Sequence, residues 1–238
     1  MYQSGFSMEL DLIKYMSNRL QEECGNRGKL GPVITISRLY GCPAKKIAKN
    51  LVEELTEKML VKGYKKMQWK LITKEIISES ARELEMDPAK IKYIFDYEQK
   101  GFMDDLFSAH LYKYYKSDRR IRNTVGRVIR NIACEGHAVI VGRGGVSITR
   151  DIPYSLHVNL EAPLAWRVLR ISEKQCLSLE EAEKFALDID RKRKQFREYF
   201  EGKNTDYTQF DLTFNCMTLS VDEIVKMIIR ACEIRKLI

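Results

Sequence analysis

Four short apolar runs and a set of three-four helical stripes organise this chain. Val33-Ile34-Thr35-Ile36, bounded by Pro32 and a Gly-containing turn, reads as a strand buried on both faces of a parallel sheet. Ile47, Ala48, Leu51, Val52, Leu55 and Met59 then recur at helical spacing and predict a helix of about four turns with one apolar face. Strands return at Ala138-Val139-Ile140-Val141, at residues 156–160 and at Leu212-Thr213-Phe214. Between the later strands, Pro163 opens a helix through Ile171, and the capping box Ser178-Leu179-Glu180-Glu181 starts another that runs to about Phe200. The chain closes on a helix whose stripe is Val221, Ile224, Val225, Ile228, Ile229 and Cys232.

Two segments read differently. Residues 7–24 form an amphipathic helix stopped by Gly25, an extension ending near residue 31. From Gly63 to about Arg130 helical patterns follow one another without a strand, and Asp87-Pro88 caps a helix with Ile91, Ile94 and Phe95 on one face. The order of strands and helices predicts an α/β fold, a three-layer α/β/α sandwich with a parallel central sheet and a helical insertion. Its domains are a helical extension at residues 1–31 and an α/β domain at residues 32–238. Ligands of such sheets bind where the strands end at their carboxyl edge, which singles out residues 37–46, 142–147 and 161–170.

Composition narrows the ligand class. Of 238 residues, 41 are Lys or Arg and 33 are Asp or Glu, a net charge of +8 that favours anionic ligands. No apolar run approaches the ~20 residues that cross a bilayer. The first residues lack the basic start and apolar run of a secretory signal, so a cytoplasmic protein with no membrane partner is expected. Six single cysteines with no Cys-x-x-Cys pair, and three histidines at no metal-ligand spacing to them, read as reduced small hydrophobes.

After the first strand, Ser37-Arg38-Leu39-Tyr40-Gly41-Cys42-Pro43-Ala44-Lys45-Lys46 occupies the place of a phosphate-binding loop. The G-x-x-x-x-G-K-[ST] motif is absent: laid on without gaps, it meets Arg38, Pro43, Ala44 and Lys45 at its fixed positions. A helix N-terminus beside Arg38, Lys45 and Lys46 is still an anion site. A plain strand-to-helix turn with solvated lysines explains the same residues as well. Gly142-Arg143-Gly144-Gly145, after the next strand, combines room for a close backbone approach with a forked donor. Arg167 and Arg170 share one side of a helix, as do Asp190 and Arg193, and a solvated face accounts for either pair as well as a site does. A basic stretch from Lys113 to Arg130, with Lys116, Arg119, Arg120, Arg122 and Arg127 and interleaved with Tyr112, Tyr114 and Tyr115, suits nucleic acid or the wall of a site for a polyanionic small molecule. It carries no recognition-module signature, so nucleotide small molecules are the favoured partners.

The ordered set Ile34-Thr35-Ile36-Ser37-Arg38-x-Tyr40-Gly41, Val141-Gly142-Arg143-Gly144, Glu161-Ala162-Pro163-Leu164-x-Trp166-Arg167, Ile189-Asp190-x-x-Arg193 and Phe210-Asp211-Leu212 resembles the cytidylate kinase-like proteins, relatives of the P-loop nucleoside monophosphate kinases. The resemblance covers about residues 32–238. It implies a P-loop NTPase-like fold with an acceptor-binding insertion at 64–130 and a lid at 172–206. The implied reaction is transfer of the γ-phosphoryl group of ATP, with Mg2+ bridging phosphates, to a nucleoside monophosphate, by family default CMP. Arg38, Gly41, Cys42 and Ala44 would then hold donor phosphates. Lys45, Lys46, Arg167, Arg170 and Arg193 would act on the transferred charge, and Arg130, Arg143, Gly144 and Asp190 would serve the acceptor. Three departures from the family pattern leave open a weak enzyme, one with a different acceptor, or the alternative reading, a degenerate kinase fold that binds nucleotide or RNA without chemistry. Gly41-Cys42-Pro43-Ala44 replaces the relatives' Gly-Ser-Gly-Gly, Gly144 replaces a base-directed aspartate, and Ala186 replaces a lid arginine.

Overall fold

The computed structural model describes residues 31–64, 67–73, 75–85, 115–201 and 207–238. Among them, β1 (Val33–Arg38) leads into α1 (Ala44–Val61), followed by β2 (Lys70–Ile72), α2 (Glu75–Leu84) and α3 (Tyr115–Glu135). Then come β3 (Ala138–Val141), α4 (Gly145–Thr149), β4 (Ser155–Glu161), α5 (Leu164–Gln175) and α6 (Leu179–Glu201). A 3₁₀ turn at Tyr207–Gln209 precedes β5 (Leu212–Asn215), and α7 (Val221–Ile234) ends the series. The extension at residues 1–30 and the Asp87-Pro88 helix lie outside the described residues.

The strands form one parallel sheet in the order β2-β3-β1-β4-β5. Alternation along each strand sorts side chains into two layers. Ile34, Ile36, Val139, Val141, Leu156, Val158 and Leu160 join a core with α1 and α7, supplied by Ile47, Leu51, Leu55, Ile224, Val225 and Ile228. Val33, Ala138 and Ile140 face the other way, onto Ile76 of α2 and Val125, Val128 and Ile129 of α3. Each fully buried Leu or Ile contributes on the order of 1.5–3 kcal/mol, and helices on both faces explain why β3 is apolar without interruption and why β1 and β4 are buried along nearly their whole length, polar Thr35, Ser155, His157 and Asn159 included.

The capping box of α6 forms as the sequence predicts: Glu181 donates its backbone N–H to Ser178 Oγ at 3.2 Å, and Ser178 donates its own to Glu181 Oε2 at 2.9 Å. A second box, Ser220 with Glu223, starts α7. The strandless reading of residues 63–130 is corrected by β2, which pairs Lys70-Leu71-Ile72 with Ala138-Val139-Ile140 at the sheet edge. Three residues with one buried side chain, Ile72, are too few to show a period. Cys134 is disulfide-bonded, against the expectation of six reduced thiols, while Cys42, Cys176, Cys216 and Cys232 are free. No helix among the described residues is long and apolar enough to cross a membrane.

Candidate functional site

At the carboxyl edge of the sheet, the loop from β1 to α1 closes one side of a cavity of about 380 Å³, and α5 and α6 close the other. Arg38, Lys45, Lys46, Arg170, Lys174 and Arg193 line it, and among the described residues no carboxylate does. The N-terminus of α1 opens here with Pro43 at the N-cap, no side-chain cap and no acidic residue in its first turn. A helix start leaves backbone N–H groups without intrahelical partners. Their dipole adds to the six cations, and an anion is the ligand that such a lining accepts.

Behind the cavity, one buried ion pair sets the loop. Arg167, 5% exposed, donates from Nη1 to Asp190 Oδ2 at 2.8 Å and to the Tyr40 carbonyl at 3.0 Å, and from Nε to the Ala162 carbonyl at 3.0 Å. Asp190 Oδ1 accepts the Tyr40 N–H at 2.7 Å. Burial pushes the Asp190 carboxyl above the usual range, while the Tyr40 N–H, Arg167 and Arg193 draw it back down. Gly41 follows with φ +94°, and a Cβ there would come within 3.0 Å of Arg167 Cβ and 3.2 Å of its carbonyl oxygen. Only glycine gives both that conformation and that approach.

One further arginine ties α6 to the same rim, and another lines it from α5. Arg193 donates from Nη1 to the Arg38 carbonyl at 3.3 Å and stands 5.3 Å from the Tyr40 ring centroid. Arg170 lies over Trp166 at 4.6 Å.

The turn after β3 forms the neighbouring edge. Gly142, Arg143 and Gly144 all have positive φ, at 69°, 60° and 69°, a run of left-handed residues that is costly at the arginine. A side chain on Gly142 would run into the Arg38 guanidinium, so this turn and the β1 loop abut. A Cβ on Gly144 would meet Phe200 at 3.2 Å and Phe196 at 3.4 Å. These rings of α6 therefore cover the position from which a side chain would project.

The structure thus brings Arg38, Gly41, Cys42, Ala44, Lys45, Lys46, Arg170 and Arg193 into one cavity and sets Arg167 and Asp190 directly behind it. Arg143 and Gly144 lie on the adjacent turn. Arg130 is elsewhere: it forms a bidentate pair with Asp151 and donates to the Ile148 carbonyl at 3.0 Å, stapling α3 to the end of α4. Tyr40, which the sequence places in the loop without a role of its own, and Lys174, which it does not single out, also line the cavity. Lys174 stands four residues beyond Arg170, so the three-four spacing that marks Arg167 and Arg170 extends to it.

Much of the described part of the basic stretch is engaged within the fold. Arg122 sits over Tyr199 at 4.9 Å, Arg127 pairs with Glu83 at 3.0 Å and Arg130 pairs with Asp151. Tyr112, Lys113 and Tyr114 lie outside the described residues.

The family model described as the cytidylate kinase-like family matches residues 33–218. The chain belongs to that family. No curated protein matches it. Among solved structures it is similar to an uncharacterized protein from Eubacterium ventriosum, with 20% identity, 85% of this chain and 98% of the other covered, and a TM-score of 0.59. It also aligns with shikimate kinase from Acinetobacter baumannii, solved in complex with shikimate, at 12% identity over 90% and 99% of the two chains with a TM-score of 0.49. For shikimate kinase from Bacteroides thetaiotaomicron the figures are 13%, 85%, 98% and 0.48.

Relatives in the cytidylate kinase-like family are expected to use ATP and Mg2+, and the residues present fit the two unequally. The cation cavity suits a polyphosphate. For Mg2+ the described residues offer no free carboxylate: none lines the cavity, Asp190 is held by Arg167 and the Tyr40 N–H, and no group of three metal-binding side chains occurs among them. Magnesium commonly keeps several waters and binds substrate phosphates, so an ion here would arrive on the nucleotide.

Proposed function

We propose that this member of the cytidylate kinase-like family binds the polyphosphate of ATP in the cavity between the β1 loop and α5–α6, and transfers its γ-phosphoryl group to a nucleoside monophosphate, CMP by family default. The observation that carries the reading is the lining of six cations and no carboxylate at an uncapped helix N-terminus. Phosphoryl transfer depends mainly on positioning and charge neutralisation. Lys45 and Lys46 are assigned to donor phosphates, with Arg38, Gly41, Cys42 and Ala44 shaping the loop. Arg170 and Arg193, reaching in from α5 and α6, are assigned to the charge in transit. Arg143, on the turn beside Arg38, is assigned to the acceptor phosphate, with Gly144 next to it.

Arg167 and Asp190 act here as positioning residues: their hydrogen bonds go to the Tyr40 backbone, to the Ala162 carbonyl and to each other, and they hold the loop's shape. Arg130 stabilises the insertion side through Asp151 and receives no acceptor role in this reading.

A second reading, nucleotide binding without turnover, is favoured by two observations. Phe196 and Phe200 lie against Gly144, and no carboxylate lines the cavity to hold a metal. Calorimetric titration with ATP·Mg, followed by a phosphoryl-transfer assay over CMP, UMP, AMP and GMP, separates the two. Binding and transfer support the first, binding alone the second, and no binding of any nucleotide sinks both.

A further inference from the structure

Cys42 and Cys216 come from opposite ends of the α/β domain and meet beneath the cation cavity. Cys42 lines the cavity and packs against the core cluster that contains Cys216, which follows β5 and is 6% exposed. Both thiols are free, and they hydrogen-bond to each other. The loop turns around Cys42: its N–H donates to the Leu39 carbonyl at 3.3 Å, and its carbonyl accepts the Ala44 N–H at 2.9 Å. Cys216 is anchored on the sheet, donating its N–H to the Glu161 carbonyl at 2.7 Å.

We propose that Cys42 and Cys216 form a redox-sensitive dithiol whose oxidation to a disulfide by a hydroperoxide closes the anion cavity. The consequence for ligand rests on the polyphosphate reading above; formation of the disulfide does not. The electrostatics favour a reactive sulfur, because the hydrogen bond from Cys42 and the charge of Arg170 draw the Cys216 thiol below its usual value despite burial. The thiolate attacks the terminal oxygen of the hydroperoxide and the O–O bond breaks. The alcohol, or water from hydrogen peroxide, leaves with the proton the thiol released. The resulting sulfenic acid loses water as the second sulfur attacks it, the S–O bond breaking as the S–S bond forms. Two electrons pass from the sulfurs to the peroxide. A disulfide brings the sulfurs to ~2.05 Å, closer than a thiol hydrogen bond, so Cys42 moves toward β5 and carries the start of α1 out of register with Arg170 and Arg193.

The full chain, reduced and then titrated with hydrogen peroxide, is alkylated and mapped by peptide mass spectrometry while ATP·Mg affinity is measured on the same samples. A linked Cys42–Cys216 peptide is expected, with an affinity loss of about tenfold or more that dithiothreitol reverses. Cys216→Ser is expected to bind ATP·Mg as the reduced chain does and to ignore peroxide. Cys216→Ala, which also removes the link, serves should that variant not fold. Absence of the linked peptide at peroxide levels that oxidise the exposed Cys176 overturns the dithiol. A linked peptide with unchanged affinity overturns the closure. If the reduced chain binds no ATP, the nucleotide reading has failed, and the linked peptide still decides the dithiol.

Discussion

Asp190 of α6 accepts the backbone N–H of Tyr40 at 2.7 Å, while its partner Arg167 grips the carbonyl of the same residue at 3.0 Å. The two peptide units that flank Tyr40 in the β1 loop are thereby fixed by an ion pair that joins α5 to α6. The geometry of the cation cavity then depends on α6 as well as on α5. Arg193, bonded to the Arg38 carbonyl one residue before Leu39, reinforces the same coupling.

Breaking that pair is expected to damage stability and binding together. Removing one partner of a buried ion pair costs about 3–5 kcal/mol, and the figure here should lie near the lower end because Asp190 retains 15% side-chain exposure. For a chain of this length, about 3 kcal/mol lowers Tm by roughly 6–12 °C. Asp190→Asn should show that drop and weaker ATP·Mg binding. Arg167→Met combined with Asp190→Leu, which leaves no orphaned charge, should recover much of the stability and none of the affinity. Full affinity in the double variant would show that the clamp does not position the loop.

The cavity cations should govern affinity and its salt dependence. Charge-assisted hydrogen bonds are worth about 1.5–3 kcal/mol each, so Lys45→Ala with Lys46→Ala should weaken ATP·Mg by roughly 100-fold or more, at about 1.4 kcal/mol per tenfold. Added salt should raise Kd for the parent chain and raise it less for the variant. Lys49, one turn along and 3.7 Å from Glu53, lies outside the cavity lining, and Lys49→Ala should leave Kd unchanged. Equal Kd values for the parent and the Lys45, Lys46 variant would remove the cavity as the nucleotide site.

Gly144→Asp restores the residue type that relatives direct at the base, and it is expected to harm this protein. A non-glycine residue in the left-handed region costs about 1–2 kcal/mol, and the new Cβ would press on Phe200 at 3.2 Å. Thermal unfolding should show Tm lower by several degrees. Phe200→Ala in the same chain should relieve the collision but not the backbone cost, so the double variant should fall less than the sum of the singles. Strict additivity would mean that the ring does not occupy that space.

The strands that place the site were legible because β1 and β3 carry β-branched apolar runs and β4 sets Leu156, Val158 and Leu160 at every second position. The edge strand β2 has one buried residue and left no such pattern. The cluster of Arg38, Lys45, Lys46 and Arg170 followed from where strands end in a parallel sheet. The work of Arg167 did not: helical spacing puts it on the face of Arg170, yet burial and Asp190, from a different helix, turn it inward to the Tyr40 peptide. Gly41 is similar. Sequence reads it as a loop glycine, and only the packing shows that Arg167 is what it must make room for. Gly144 and Arg130 depend on contacts with Phe200 and Asp151 across the fold, which no local pattern carries.

The sheet also carries a built-in acid sensitivity, separate from the cavity. His157 on β4 is buried with its ring nitrogens against Thr35 Oγ1 at 2.8 Å and Ser155 Oγ at 3.1 Å, and its backbone N–H donates to Asp211 Oδ2 at 2.6 Å. Burial holds its pKa down at about 4, against an ordinary 6.5, with Arg235 and Arg150 adding to the effect and Asp211 opposing it. The unfolded chain therefore takes up the proton first. This histidine costs no stability above about pH 6.5; stability is lost as pH falls through the window from 6.5 to 4, and the loss levels off below it. At about 1.4 kcal/mol per unit, roughly 2 kcal/mol should disappear between pH 7.5 and pH 5. Urea midpoints measured at the two values for the parent and for His157→Gln give the test: the variant should start less stable and lose distinctly less on acidification. A parent and variant that lose stability in parallel would place the acid sensitivity elsewhere.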